Sequence, residues 1–371
     1  MVRLIFATGS KNYPYIEFHS KDRRQEATKM HQIDKPRIFI TGGTGYIGGS
    51  FLHLMLSRDY LHRYDIAVLV RRSRDAELLS AMGVTPVVGT LDDDHLLNSQ
   101  AAQADIVFNT ANCDHRDSTA AIVSGLALRK SQTGNCSILI HTSGAGVLSD
   151  TSNGMGVALA HDTKAVIWDD ADAEAHAKIP YHAPHREVDL EVFAASRKGT
   201  AKTYLVVPPT VFGVGLGPFA EQRMSIQIPR LIYQSLLIRR AAHVGTGENV
   251  WANVHVADLA ELYLLILDAA LAGRAPEGAA GLFYPVTEHF TWLDVAKRIG
   301  QELYEQELIA SAEPVTGLPQ GWFWGSNVRL RSSNGSALGW QPKSGGTETM
   351  LKSIPQDLAL VLNMARQARS A

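Results

Sequence analysis

The stretch RIFITGGTGYIGGSFLHLML, residues 37–56, decides the fold. Its first five residues include β-branched and aromatic side chains, and the pattern from Tyr46 onward suits a helix, so a strand should give way to a helix across one short glycine loop. Gly42, Gly45 and Gly48 fall at that junction. Glycines there allow a tight turn, a close approach of backbone to a pyrophosphate, and close packing of helix on strand; the unpaired amides of the helix N-terminus attract the anion. This order predicts a dinucleotide site cradled by Gly42, Thr44, Gly45, Tyr46, Ile47 and Gly48.

The alternation continues outward from that stretch. IAVLV, PVV, DIVFN, SILIH and TYLVVP are further strand candidates, nearly all apolar, as strands covered on both faces are. Helix-compatible segments such as SRDAELLSAMG and HREVDLEVFAASRKG separate them. The fold class is therefore α/β, a Rossmann doubly wound parallel sheet with a smaller C-terminal substrate lobe. Residues 37–213 and 251–286 are expected to form the cofactor-binding body, and residues 214–250 and 287–371 the substrate lobe and C-terminal segment. Residues 1–36 have no sustained apolar period, are crowded with charge, and read as a loose extension.

A chain of 371 residues, 45% hydrophobic and 19% charged, can bury one large core or two smaller ones. Its net charge of −2 offers no basic field to nucleic acid or an acidic membrane surface, and apolar runs such as ELYLLILDAALAG are too short to span a bilayer. Cys113 and Cys136, the only cysteines, are too few for a disulfide framework or a cysteine-based zinc site and suit a reducing cytosol. His161, His176, His182 and His185 cluster in sequence without a tight ligand motif, so a cytoplasmic protein without a metal is expected. After IAVLV come Arg71, Arg72, Ser73 and Arg74, where an NAD-binding loop would carry an acid for the ribose hydroxyls. Arginines suit a 2′-phosphate instead, which makes NADP(H) the expected cofactor, with Arg71 and Arg72 as its ligands.

With these residues in view, the chain resembles the extended short-chain dehydrogenase/reductases, the group containing dihydroflavonol-type reductases and nucleotide-sugar epimerases. TGGTGYIG, from Thr41 to Gly48, matches that family's cofactor loop; VVPPTVFGVG, carrying Pro208 and Val211, resembles its segment beside the nicotinamide. NVHVADLAELY is similar to its VHVDDLA stretch and ALGWQPK to its LGWxP element, so the resemblance covers nearly everything from Arg37 onward. It implies further cofactor contacts at Thr90, Leu91, Asp92, Thr110, Ala111 and Asn112, and a homodimer paired through the helical segments around Ala120 and Asp189. Thr90 stands where the family carries an aspartate near the adenine, with Asp92 as a candidate substitute. Ser143 fits the serine of the dihydroflavonol-like branch, whereas alignment to the epimerase branch would put Gly144 at the hydroxyl position, a choice that favours a reductase.

The largest departure lies in YHAPHREVDLEVF. It reads as a helix beginning near Tyr181, and alignment through Asp189 puts the family's tyrosine at Tyr181 and its lysine at His185. In the family that lysine holds the nicotinamide ribose and eases ionisation of the tyrosine; a cation at 4 to 5 Å is worth about 3 to 4 kcal/mol at an effective dielectric near 20. A histidine offers charge only when protonated, and Arg186 lies about 100° further round the helix. Tyr181, Ser143, His185 and Arg186 are thus the catalytic candidates. Three activities fit: an NADPH-dependent reductase of a carbonyl on a small molecule, an epimerase or dehydratase using bound NAD(P), and an NADP-binding sensor or scaffold without turnover. Asp258 is expected to cap a helix, and Trp322, Phe323 and Trp324 to line an aromatic substrate site or to pack in the core.

Overall fold

The computed structural model describes residues 35–150, 166–220, 223–319 and 322–370. The extension expected over residues 1–36, apart from Lys35 and Pro36, and His161 lie outside them. The chain alternates strand and helix as its apolar pattern requires: β1 (Arg37–Thr41), α1 (Tyr46–Ser57), β2 (Asp65–Val70), α2 (Ser73–Ala81), β3 (Thr85–Val88), α3 (Asp94–Ala102), β4 (Ile106–Asn109), α4 (Arg116–Thr133) and β5 (Ser137–Thr142). There follow α5 (Arg186–Arg197), β6 (Ala201–Val206), β7 (Thr210–Phe212), α6 (Gln227–Ile238), β8 (Val250–His255), α7 (Val256–Leu271), β9 (Leu282–Phe283), β10 (Glu288–Thr291), α8 (Trp292–Glu305) and α9 (Thr347–Ser370).

Seven strands form one parallel sheet in the order β9-β6-β5-β4-β1-β2-β3. The chain runs outward from β1 to β3, then returns to β4 and builds the other half, so the crevice at the switch lies above β1 and β4. Both faces are covered, which explains the uninterrupted apolar strands. Phe39, Val107 and Leu139 pack on the layer containing Leu97, Ile122 and Leu126. Ile38, Ile40, Phe108 and Ile140 face Phe51, Leu52, Met55 and Tyr263. The Phe51 and Phe108 rings lie 4.4 Å apart between centroids. Each such side chain, fully buried, contributes about 1.5 to 3 kcal/mol.

β8 leaves the parallel sheet to pair with β7 in parallel and with β10 in antiparallel, while β9 returns to the edge of the main sheet. Residues 36–371 cluster as one compact unit. Two local expectations are corrected. Tyr181 to His185 form turns, and the helix begins at Arg186, because His185 adopts a left-handed backbone (φ 66°) that a helix cannot continue through. The cap of α7 is His255, whose Nδ1 accepts from the amide of Ala257 at 3.1 Å. Asp258 instead accepts from the amides of Lys343 and Ser344, tying ALGWQPK to the body. Among the described residues no helix is long and apolar enough to cross a membrane.

Candidate active site

A cavity of about 880 Å³ opens at the switch point. Its floor is the glycine loop. Gly42 has φ +74°, and a Cβ there would lie 2.6 Å from the Thr110 carbonyl; a Cβ on Gly48 would meet the Thr110 side chain. The two glycines thus let the loop close onto β4. Gly48 packs in this way beneath the cavity, whereas Gly42, Thr44, Gly45, Tyr46 and Ile47 line it. α1 starts without a side-chain cap and without an acid in its first turn, leaving its amides to an anion. These residues fit the pyrophosphate of a dinucleotide.

Further lining comes from Thr90, Leu91 and Asp92, from Thr110, Ala111 and Asn112, and from Pro208 and Val211. The arginines divide. Arg71 lines the cavity, but Arg72 is turned away and donates to both carboxylate oxygens of Asp75, at 2.9 and 3.1 Å. From the loop before α6, Arg223 enters the cavity and donates its Nε to the Thr44 carbonyl at 2.8 Å. Burial and the like charges of Arg72 and Arg71 push its guanidinium pKa downward.

At the other end the expected tyrosine is missing. Tyr181 is 62% exposed, its hydroxyl donates to Glu187 at 2.9 Å, and it takes no part in the cavity wall. The reason is the turn before α5, which places Tyr181 on the surface. Arg186 is buried and donates to the His176 carbonyl at 3.0 Å, also outside the cavity wall. His185 is the residue that reaches the cavity. Its Nδ1 lies 2.7 Å from Asp114 Oδ1 and 3.3 Å from Cys113 Sγ. Nε2 lies against Gly144, where an added Cβ would stand 2.9 Å away. Its left-handed backbone costs about 1 to 3 kcal/mol, the kind of local strain found where a side chain must be aimed.

Ser143 stands beside Gly144 in the wall and donates its hydroxyl to Asp189 Oδ2 at 3.0 Å. Asp189 is four residues after His185, one helical turn, so a carboxyl stands where a lysine would follow a tyrosine. Burial pushes its pKa up to about 7, opposed by the Ser143 hydrogen bond and the Arg186 charge. Cys113, Asp114 and His185 bring three metal-capable atoms within 4.8 Å of one another. Burial, however, pushes the Cys113 thiol up to about 12, and a neutral thiol is a poor metal ligand. His176 is buried in a separate network, stacked on Trp168 and bonded to the Tyr284 hydroxyl.

Residues 38–279 match the family described as NAD dependent epimerase/dehydratase. The chain belongs to that family. An oxidase, ucsJ, from Acremonium is 30% identical over 330 residues, 82% of this chain and 92% of that protein. A 4-hydroxy-2-methyl-3-oxo-4-farnesyl-3,4-dihydroquinoline-1-oxide ketoreductase from Stigmatella aurantiaca is 24% identical over 64% of this chain and 66% of its own length. Among solved structures, the UDP-glucose 4-epimerase of Thermotoga maritima superposes with a TM-score of 0.61 at 16% identity, covering 89% of this chain and 99% of that one. Within the epimerase/dehydratase family this chain is an NAD(P)-type enzyme by its relatives and by its glycine loop.

Sequence reasoning passed over Arg223, Asp114 and Cys113, and it assigned no site role to Asp189. A signal for Asp189 was present, since it keeps the i, i+4 spacing from His185. Arg223 reaches the cavity from a segment distant in sequence, whereas Cys113 in the wall and Asp114 on the His185 ring directly follow the predicted contact Asn112.

Proposed function

We propose that this protein is an NADP(H)-dependent oxidoreductase that reduces a carbonyl on a small, largely apolar organic molecule, with His185 as the proton-transfer residue. The observation that carries this is the aim of His185: its imidazole enters the cavity beside Ser143 with Asp114 on Nδ1, leaving Nε2 as the atom that can meet a substrate oxygen. A nicotinamide cofactor supplies the hydride when bound. Asp114 orients the ring, Ser143 offers a hydroxyl to the same oxygen, and the buried walls exclude water. The names of two relatives, an oxidase and a ketoreductase, favour redox chemistry on organic molecules. Met224, Ile226, Trp251 and Phe323 give the substrate end an apolar lining. Arg71 and Arg223 together favour the 2′-phosphate of NADP. The outer faces of α4 and α5, with Ala120 and Leu128 exposed on α4, suit a homodimer, and the two free cysteines suit a cytosolic location.

The test is a screen of ketones and aldehydes followed through NADPH absorbance, with His185→Gln as the control variant. Loss of one acid–base group should lower kcat about 10²- to 10⁴-fold while NADPH affinity holds. Full turnover in His185→Gln would refute the role of this histidine. A tightly retained cofactor with no net consumption would instead favour internal redox of the epimerase type.

A further inference from the structure

We infer that Asp189 is a positioning residue that decides which hydrogen-bond role Ser143 offers to a ligand in the cavity: donor when Asp189 carries a proton, acceptor when it does not. This rests on the reading of the cavity as a hydride-transfer site. Among the described residues Ser143 is the one hydrogen-bond partner of Asp189's side chain: Oδ2 accepts its hydroxyl at 3.0 Å, while Oδ1 is buried with none. A serine hydroxyl has one hydrogen and two acceptor positions. With Asp189 ionised, that hydrogen is committed to the carboxylate, and toward the cavity Ser143 can only accept. An alcohol can donate to it; a carbonyl oxygen cannot. With Asp189 protonated, the acid O–H donates to Ser143, and the serine hydrogen is released toward a carbonyl oxygen in the cavity.

Placement supports the switch from several sides. Asp189 is 2% exposed and Ser143 5%, so the bond between them is sheltered from bulk water. The charged and titratable groups acting on this pair are Arg186 on the same helix, Asp114 and Cys113 from the segment after β4, and Tyr284 after β9. Arg186 alone favours the carboxylate by its charge, and its guanidinium is partly spent on the His176 carbonyl. Burial opposes ionisation more strongly, so the pair titrates near neutrality, where the role of Ser143 changes within the ordinary working range.

The proposal is tested without turnover first. In protein labelled with ¹³C at aspartate carboxyls, one resonance that Asp189→Asn removes should titrate near pH 7. Ser143→Ala should move that titration upward, because the serine hydrogen bond favours the carboxylate. Next, a ketone that the NADPH screen finds and the alcohol it yields are compared as ligands. In the unmodified protein the ketone should bind at least about fivefold more weakly as pH rises from 6 to 8, and the alcohol more tightly, which is the scale of one hydrogen bond made or lost. Asp189→Asn, whose amide donates to Ser143 at every pH, should hold both affinities at their acid-side values. Titration of Asp189 in the ordinary carboxylate range, a titration unmoved by Ser143→Ala, or ligand affinities that keep the same pH dependence in Asp189→Asn would overturn the switch. A coupled titration near pH 7 supports the switch even where no ketone turns over, and that second outcome counts against the hydride-transfer reading alone.

Discussion

The imidazole of His185 occupies the space that a side chain at position 144 would need. A Cβ on Gly144 would stand 2.9 Å from His185 Nε2, inside the closest approach real Cβ atoms make. The missing side chain in the wall and the histidine facing it are therefore one feature: the histidine reaches the cavity because residue 144 is glycine. Gly144→Ser is expected to push the ring off Asp114 and to lower turnover about 10- to 100-fold, a cost of 1.4 to 3 kcal/mol in transition-state binding. The clash falls on the tip of a side chain that can swing away, so the melting temperature should hardly move. Added to His185→Gln, the serine should cost little more, since both changes remove the same contact. Steady-state kinetics of the three variants measure this, and additive losses would contradict it.

Tyr181→Phe gives the opposite expectation. The hydroxyl lies at the surface on Glu187 and away from the cavity, so kcat and KM should stay within about twofold of the unmodified values, as for most exposed substitutions distant from a site. A large fall in kcat would show that the turn before α5 rearranges to bring the tyrosine in.

Cofactor choice separates the three arginines. Arg71→Ala and Arg223→Ala should each weaken NADPH binding by about 1.5 to 3 kcal/mol, roughly 10- to 100-fold, the range of a hydrogen bond to a charged group. NADH should be affected far less. Arg72→Ala should leave the preference nearly intact, because its guanidinium is held by Asp75. Fluorescence titration with both nucleotides measures this, and equal affinity of the unmodified protein for the two would end the case for NADP.

Stability should depend on Asp189 with a definite sign. Its carboxyl is pushed up to about 7 in the folded chain from an ordinary value of 3.8, so the folded state holds its proton more tightly. That contribution is fully present below about pH 4 and is lost as pH rises to about 7, on the order of 4 kcal/mol at most. Asp170 and Asp357, pushed up to about 6 and about 7 by burial, act in the same direction. His141 and His176, pushed down to about 4 by burial, act oppositely between about pH 4 and 6.5, so the whole profile is a compromise. The difference isolates one group: the stability of Asp189→Asn relative to the unmodified protein should rise from pH 4 to pH 7 and then level off. Denaturant midpoints across that range decide it, and a constant difference would be inconsistent with a raised pKa.

The proposed homodimer predicts a mass of two chains by light scattering at micromolar concentration. Leu128→Glu, on the exposed face of α4, should reduce that to one chain with little loss of folded structure. A single-chain mass for the unmodified protein would remove the dimer.

The order of strand, glycine loop and helix was legible in residues 37–56 because each signal there is local. β-branched runs, glycines at a turn and a helical pattern depend on neighbours a few residues apart. Two-sided apolar strands announced the parallel sheet for the same reason, and the family motifs at Thr41–Gly48 and in VHVADLA fall where the structure builds a cavity and a buried helix. The Arg72–Asp75 pair, three residues apart, was equally open to local reading and takes Arg72 away from the cofactor.

What the sequence by itself determined was the sheet, its winding and the position of the dinucleotide loop, all set by burial patterns and backbone freedom within short stretches. Tertiary structure alone decided which side chains distant in sequence meet. His185 and Asp114 are 71 residues apart, and Ser143 and Asp189 are 46 apart. Periodicity fixes which face of a helix is buried but not where the helix begins. The left-handed turn at His185 shifts that beginning by a full turn, sending Tyr181 to solvent and the histidine into the cavity, because a side chain's direction follows backbone dihedrals that packing selects.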